Sequence, residues 1–280
     1  MSGVRNHPII YAVLLAALPL LSLQTSAQDR KEFSYTVGPK AVISVTNNYG
    51  PITAKQSGNM QVVITTISHS DAVSFVNEQH DNRIEIRSDS SRQGNGLVEY
   101  IVQVPVDALL ILRSSEGTLQ AEGLGGDVIL ESVTASVEVR EIRDAHIHVK
   151  TFSGPVRLTA IRNSHLDVHS VSGNISLLEV SGSSVEVSAG RGQITYEGDP
   201  GTTGDYILSS HSGDLDVSIP ASASVEIKAH SAPGYPDPEF RKRGGASSLG
   251  QENSLLKTAK VHASRFVLRS IKGKILLKRP

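Results

Sequence analysis

Cysteine and tryptophan are missing from this chain of 280 residues, and phenylalanine and tyrosine together make up only 4% of it. Without cysteine there is no disulfide framework, and no thioether-linked lipid can sit at a processed N-terminus. Without tryptophan the best aromatic platform for sugars is gone, which counts against a carbohydrate-active enzyme. An excess of one charge is missing too: 27 Lys and Arg stand against 28 Asp and Glu. That balance leaves no electrostatic footprint for nucleic acid. The only long apolar run is the fifteen residues from Ile9 to Leu23, interrupted by Pro19. A membrane span needs about twenty.

That run follows Arg5 and precedes Gln24-Thr25-Ser26-Ala27. This is the layout of a secretory signal peptide cleaved after Ala27, with an uncleaved anchor as the alternative. The expected organisation is a signal peptide at 1–27 and a single domain at 28–280. Loss of Arg5 leaves 26 basic against 28 acidic residues, a net charge of −2. The protein is expected outside the cytoplasm, in the periplasm, on the cell surface or extracellular, with no membrane span after cleavage.

What the chain does have is repetition. Ser-Ser-Glu-Gly at 114–117, Thr-Phe-Ser-Gly at 151–154, Ser-Val-Ser-Gly at 170–173 and Ser-His-Ser-Gly at 210–213 return at multiples of about nineteen residues. Between them, runs such as Ile147-His148-Val149 and Ile175-Ser176-Leu177 alternate apolar and polar residues, the period of a strand with one buried face. The first inward residues, Val128, Val137, Ile147, Val156, Leu166, Ile175, Val185 and Ile194, are nine or ten residues apart without a helical break. This regularity predicts an all-β, parallel two-sheeted β-solenoid, β-helix-like or β-roll-like, with about 19 residues and two strands per coil. The core between such sheets is narrow, suited to aliphatic side chains and not to large rings. Glycines 117, 154, 173, 192 and 213 are expected to let the corners leave the β region, with nearby hydroxyls bonding the corner backbone.

From Phe33 to Leu112 strands are legible but the nineteen-residue period is not, so residues 33–112 read as an irregular N-terminal cap of β-strands. Regular coils occupy 113–228. Residues 229–260, rich in Pro, Gly and Ser, read as an inserted loop without internal structure. Within it Tyr235, Phe240 and the basic cluster Arg241-Lys242-Arg243 are candidates for contact with a partner. Residues 261–280 restate one last coil.

Several of these features together resemble a family of exported bacterial β-solenoid repeat proteins that carries an adhesin label and whose defining domain is otherwise of unknown function. They are Asn48-Tyr49-Gly50-Pro51-Ile52, Val104-Pro105, the Thr/Ser-x-Ser-Gly phrase and the closing Ser270 to Ile275 element. The resemblance runs from about Phe33 to Leu277. It implies a fold and a binding role and supplies no catalytic residues. Ala135 and Asn163 depart from it, standing at corners where glycine is common.

A nineteen-residue register places His146 on His165 and His148 on Asp167, on one solvent face with Lys150 and His169 beside them. Several imidazoles and a carboxylate are metal-ligand chemistry. On a flat sheet they equally form a solvated polar face, with His148 and Asp167 as a cross-strand pair. A second column, Glu138, Arg157, Ser176, Thr195 and Asp216, belongs to the other sheet, with Glu138 and Arg157 as an exposed ion pair. Asp127, Asp205 and Asp214 follow glycine at corners, as in calcium-binding β-rolls, but the full nonapeptide repeat is absent.

No catalytic, cofactor-binding or metal residue is therefore assigned, and no cofactor is expected. The expected function is an exported, non-catalytic, adhesin-like display or binding module whose ligand is a protein or polysaccharide of the cell envelope. The alternatives are a carbohydrate-active β-helix enzyme, a polysaccharide lyase or hydrolase, and a structural envelope component.

Overall fold

The computed structural model describes residues 29–68, 73–89, 96–232, 239–242, 245–248, 254–257 and 263–280. The expected signal peptide, Tyr235 and Arg243 lie outside the described residues. Every element described is a strand.

The chain opens with β1 (Asp29–Thr36), β2 (Val42–Tyr49), β3 (Ile52–Gln56), β4 (Gln61–Ser68), β5 (Ser74–His80), β6 (Arg83–Asp89) and β7 (Val98–Val104). The regular coils follow, one strand in each sheet: β8 (Leu109–Glu116) with β9 (Thr118–Glu122), β10 (Val128–Ser132) with β11 (Ser136–Arg140), and β12 (His146–Thr151) with β13 (Val156–Ile161). Next come β14 (His165–Ser170) with β15 (Ile175–Val180), β16 (Ser184–Ala189) with β17 (Ile194–Glu197), and β18 (Asp205–Ser210) with β19 (Leu215–Ser218). The chain ends with β20 (Val225–Ser231), β21 (Glu239–Lys242), β22 (Gly245–Ser248), β23 (Ser254–Lys257), β24 (Ser264–Ser270) and β25 (Ile275–Arg279).

These strands form two open, mostly parallel sheets of 13 and 12 strands, here sheet A and sheet B. The central register is the expected one: Val128 pairs with Ile147, Ile147 with Leu166 and Leu166 with Val185. All four are buried, as are their counterparts on sheet A, Val137, Val156, Ile175 and Ile194. The two-strand coil with an aliphatic interior is the β-solenoid that the spacing predicts.

At each end, however, space is not filled in chain order. β2 and β3 lie beside β8 and β9, while β6 and β7, which come later in the chain, pair on their outer side. Antiparallel strands then cover the N-terminal edge: β4 pairs with β7, β1 with β4, and β5 with β6. At the other end β24 is inserted between β18 and β20, so the last coil of the chain is not the last coil in space.

The same end corrects the expectation of a structureless loop at 229–260. β20 runs on to Ser231; β21 extends sheet A beyond β25, and β22 pairs antiparallel with β21. β23 pairs antiparallel with β20 in sheet B. A bare terminal coil leaves a row of unpaired backbone groups and an apolar face, and these segments cover both. Phe240 is half-buried against the core on β21, so it is a packing residue.

The core holds rings as well as aliphatic residues, contrary to the expectation of a space too narrow for them. Tyr100, Tyr196, Tyr206 and Phe266 are fully buried. They sit toward the two ends of the solenoid, in β7, β17, β18 and β24, and beyond β17 the repeat loosens: Tyr206 pairs with Val185, twenty-one residues back, and Phe266 with Tyr206. Tyr206 stacks on Phe266 with centroids 4.4 Å apart, and Tyr196 meets both edge-on. Two of the three phenol groups find backbone partners, Tyr196 donating to Val180 O at 2.8 Å and Tyr206 to Pro200 O at 2.9 Å.

The corner glycines are explained differently from expectation. Of the five, only Gly117 has a positive φ, at 118°. At the others the carbonyl of the preceding coil already occupies the place of a side chain. A Cβ on Gly154 would lie 1.9 Å from Ala135 O, and one on Gly192 1.9 Å from Gly173 O. At three of these corners the hydroxyl three residues before the glycine closes the bend: Thr151 Oγ1 accepts from Gly154 N at 3.0 Å, Ser170 Oγ from Gly173 N at 2.7 Å, and Ser210 Oγ from Gly213 N at 2.8 Å. Left-handed backbone occurs elsewhere, at Glu141, Ala160 and Glu179, nineteen residues apart, with φ of 54–55°. Asn163, with φ of 51°, is a residue type that tolerates this region.

Two consequences can be measured by thermal or denaturant unfolding. Gly192→Ala drives a methyl into backbone and should cost about 3 kcal/mol, whereas Ala160→Gly relieves a left-handed alanine and should add about 1 kcal/mol. Burial pushes the Tyr100 phenol up from 10 to about 12, partly opposed by Ser88, and burial likewise raises Tyr196 and Tyr206. A raised acid keeps its full contribution below its unfolded pKa and loses it as pH rises through the folded one. Stability should therefore be level up to pH 10 and fall between pH 10 and about 12, by about 3 kcal/mol from Tyr100 alone. Tyr100→Phe should flatten that decline.

Candidate functional site

The outward residues of β12, β14 and β16 form a grid, because alternation sends every second side chain to solvent and the parallel register aligns neighbours. His146 pairs with His165, His148 with Asp167, Lys150 with His169, and His169 with Ser188. The sequence-derived face is thus brought together.

Its core is a chain of polar contacts. His148 Nδ1 lies 3.0 Å from Asp167 Oδ2. His169 Nε2 lies 2.7 Å from Asp167 Oδ1, an ion-pair contact off the N–H direction that leaves this water-shielded oxygen without a directed donor. His169 Nδ1 is hydrogen-bonded to the Ser188 hydroxyl. At the upper edge, Asp127 Oδ1 receives both the His146 N–H, at 3.2 Å, and the His146 ring, at 3.1 Å. His165 faces His146 with ring centroids 5.5 Å apart, and His148 faces His169 at 6.3 Å.

The arrangement is poor for a metal ion. The sheet holds the imidazoles apart, the two aspartates are already engaged, and no cluster of three or more donors among the described residues is arranged to hold a metal. The three corner aspartates are equally committed. Asp127 and Asp214 accept backbone N–H groups one coil on, the latter from Lys274 at 2.8 Å, and Asp205 receives Arg265 Nε at 2.9 Å.

On sheet A the column Glu138, Arg157, Ser176, Thr195 and Asp216 is in register. The expected Glu138–Arg157 ion pair is replaced: Arg140 Nη2, two residues along the same face, holds Glu138 at 2.7 Å, and Asp216 pairs with Lys278 at 2.7 Å.

Ser188 was not picked out from the sequence, and Asp127, noted there only as a corner aspartate, was not foreseen as the partner of His146, although the nineteen-residue step places both. Phe152 was missed as well. It occupies the second position of a corner phrase, exposed also at Val133, Val171, His211 and Ile271; its 57% exposure makes it the most exposed large apolar side chain described.

A two-sheeted solenoid built on this phrase, with a polar side-chain face and antiparallel end caps, defines a class of β-repeat protein. The chain belongs to the Toastrack DUF4097 family, whose model matches residues 41–264. No curated protein matches it. Among solved structures, it is similar to the "putative lipid binding protein" of Parabacteroides distasonis ATCC 8503, at 12% identity and TM-score 0.51, over 90% of this chain and 97% of that one. It is also similar to the "putative adhesin" of Bacteroides fragilis NCTC 9343, at 12% identity and TM-score 0.49, over 91% and 99%. At such identity the first likeness speaks for the fold alone. Among the described residues no helix is long and apolar enough to cross a membrane.

Because the donors are spaced by the sheet and already paired, zinc titrated calorimetrically into metal-free protein should give no more heat than it gives with a His146→Ala, His165→Ala double variant.

Proposed function

We propose that this chain is an exported, non-catalytic, adhesin-like binding module of the bacterial cell envelope, made as a signal peptide at 1–27 and one solenoid domain at 28–280. The observation that carries the reading is the face of β10, β12, β14 and β16, where polar side chains stand on a rigid lattice while the backbone beneath is fully committed to strand pairing.

Ser188, His169 and Asp167 do stand in the order nucleophile, base and carboxylate. Acyl transfer also needs donors aimed at the developing oxyanion. β16 is paired on both sides, by β14 and β18, so its N–H groups have none to spare. The Asp167–His169 contact is not a directed hydrogen bond, so the base is not oriented as hydrolysis requires. Glycosidic cleavage needs a pair of carboxylates across the bound sugar. On this face Asp167 is tied to two histidines. What remains is recognition by fixed side chains.

The test has three readouts. The protein should fractionate outside the cytoplasm with Gln28 as its first residue. Incubated with bacterial and plant polysaccharides, it should release no more reducing ends or unsaturated product than a heat-killed control, and a fluorophosphonate probe should leave Ser188 unlabelled. Immobilised, it should retain a component of envelope extract that a His148→Ala, Lys150→Ala variant does not. Turnover, or equal retention by the variant, overturns the reading.

A further inference from the structure

Val133, Phe152 and Val171 occupy the second position of three consecutive corners and are 49, 57 and 46% exposed. Their backbones stack directly, Phe152 N–H donating to Ser132 O at 3.2 Å and Val171 N–H to Thr151 O at 3.1 Å. Three apolar side chains therefore form a ridge along the solenoid axis, one about every 4.8 Å. Beside it lies a cleft of about 510 Å³ whose other wall is the outward column Glu131, Lys150, His169 and Ser188. A second cleft of about 230 Å³ shares Glu131 and Ser132 with the first and continues to Arg113 and Asn48. The shared residues make them one groove across β2, β8, β10, β12, β14 and β16, neighbours in sheet B, or about 24 Å at strand spacing.

The charges in the groove are unequal in their availability. Arg113 is held by Glu131 at 2.7 Å, and His169 is held by Asp167 and Ser188. Lys150, next to Phe152, has no ion pair among the described residues. A ligand suited to this wall carries an anionic group for one ammonium, hydroxyls for the carboxylate and imidazole, and a flat apolar face for Phe152.

We infer that the groove binds an acidic polysaccharide lying along the solenoid axis. A sugar C–H face rests on Phe152, with Val133 and Val171 under its neighbours. A uronate carboxylate meets the Lys150 ammonium, and hydroxyls meet Glu131, His169 and Ser188. The groove follows the coil-to-coil repeat across several coils, which fits the interior of a periodic polymer. A single-file ridge bordered by charge does not enclose an acyl chain, which requires apolar contact on all sides. The inference rests on the binding reading and gives it a ligand class.

Calorimetry with the exported chain, using polygalacturonate, dextran and phosphatidylglycerol vesicles as probes, tests it. Polygalacturonate should bind at least tenfold more tightly than dextran, with affinity falling as salt rises. Lys150→Gln should weaken polygalacturonate binding about tenfold, as expected for a lost charged hydrogen bond, and bring it to the level of dextran. Phe152→Ala should weaken both glycans. Arg157→Gln, on the opposite sheet, should change neither and serves as the folding control. Equal binding of the two glycans, or an unaffected Lys150→Gln, overturns the acidic assignment while leaving the binding reading standing. Vesicle binding without glycan binding overturns it in favour of an anionic lipid surface. Binding of no probe overturns it as well, and retention from envelope extract then decides the binding reading separately.

Discussion

One coil's corner lies too close to the next to admit a side chain. At Gly154, Gly173, Gly192, Gly213 and Gly273 the preceding carbonyl lies 1.9–2.1 Å from where a Cβ would stand. Parallel strands in register bring corners together at the same spacing as the strands themselves, and a corner has less room than a strand because its backbone turns through the stacking direction. Removing the side chain is what lets the corners follow the sheets. At all of these but Gly192, which follows Ala189, the hydroxyl three residues earlier then satisfies the glycine N–H inside the bend. Strand register, the aliphatic core and the outward columns all inherit their regularity from this contact.

The interior of the solenoid was legible because it is periodic. A residue such as Leu166 can be placed from sequence alone, since its neighbours nineteen residues either side do the same job. The ends were not, because there the partner of a strand is not set by the period: Tyr206 pairs with Phe266 across sixty residues, and β6 lies outside β2 although it follows it. The segment after Lys228 looked unstructured for the same reason. Its short strands gain their stability from covering an edge, and nothing in Phe240 or its neighbours announces that edge locally.

The polar face shows the same division. Columns follow from register, so the meeting of His148 with Asp167 was foreseeable. The links along and between strands depend on side-chain reach, and these determined the outcome: Asp167 serves two imidazoles, and Arg140 displaces Arg157 at Glu138. Outward chemistry in this fold is a matter of side chains alone, because strand pairing has claimed the main chain. Recognition can change with a few surface substitutions while the coil beneath stays as it is.

The out-of-order filling of both ends also bears on how such a protein lengthens. The N-terminal strands enclose β2 and β3 between later neighbours, and the C-terminal strands enclose β24 and β25. Each terminus is thus a finished clasp, whereas the coils between β8 and β19 are interchangeable links that meet only the link on either side. Insertion or loss of one nineteen-residue unit in the middle would leave both clasps intact and shift the outward columns by one rung. The end strands cover the coils, and the middle is free to set how long a surface they offer.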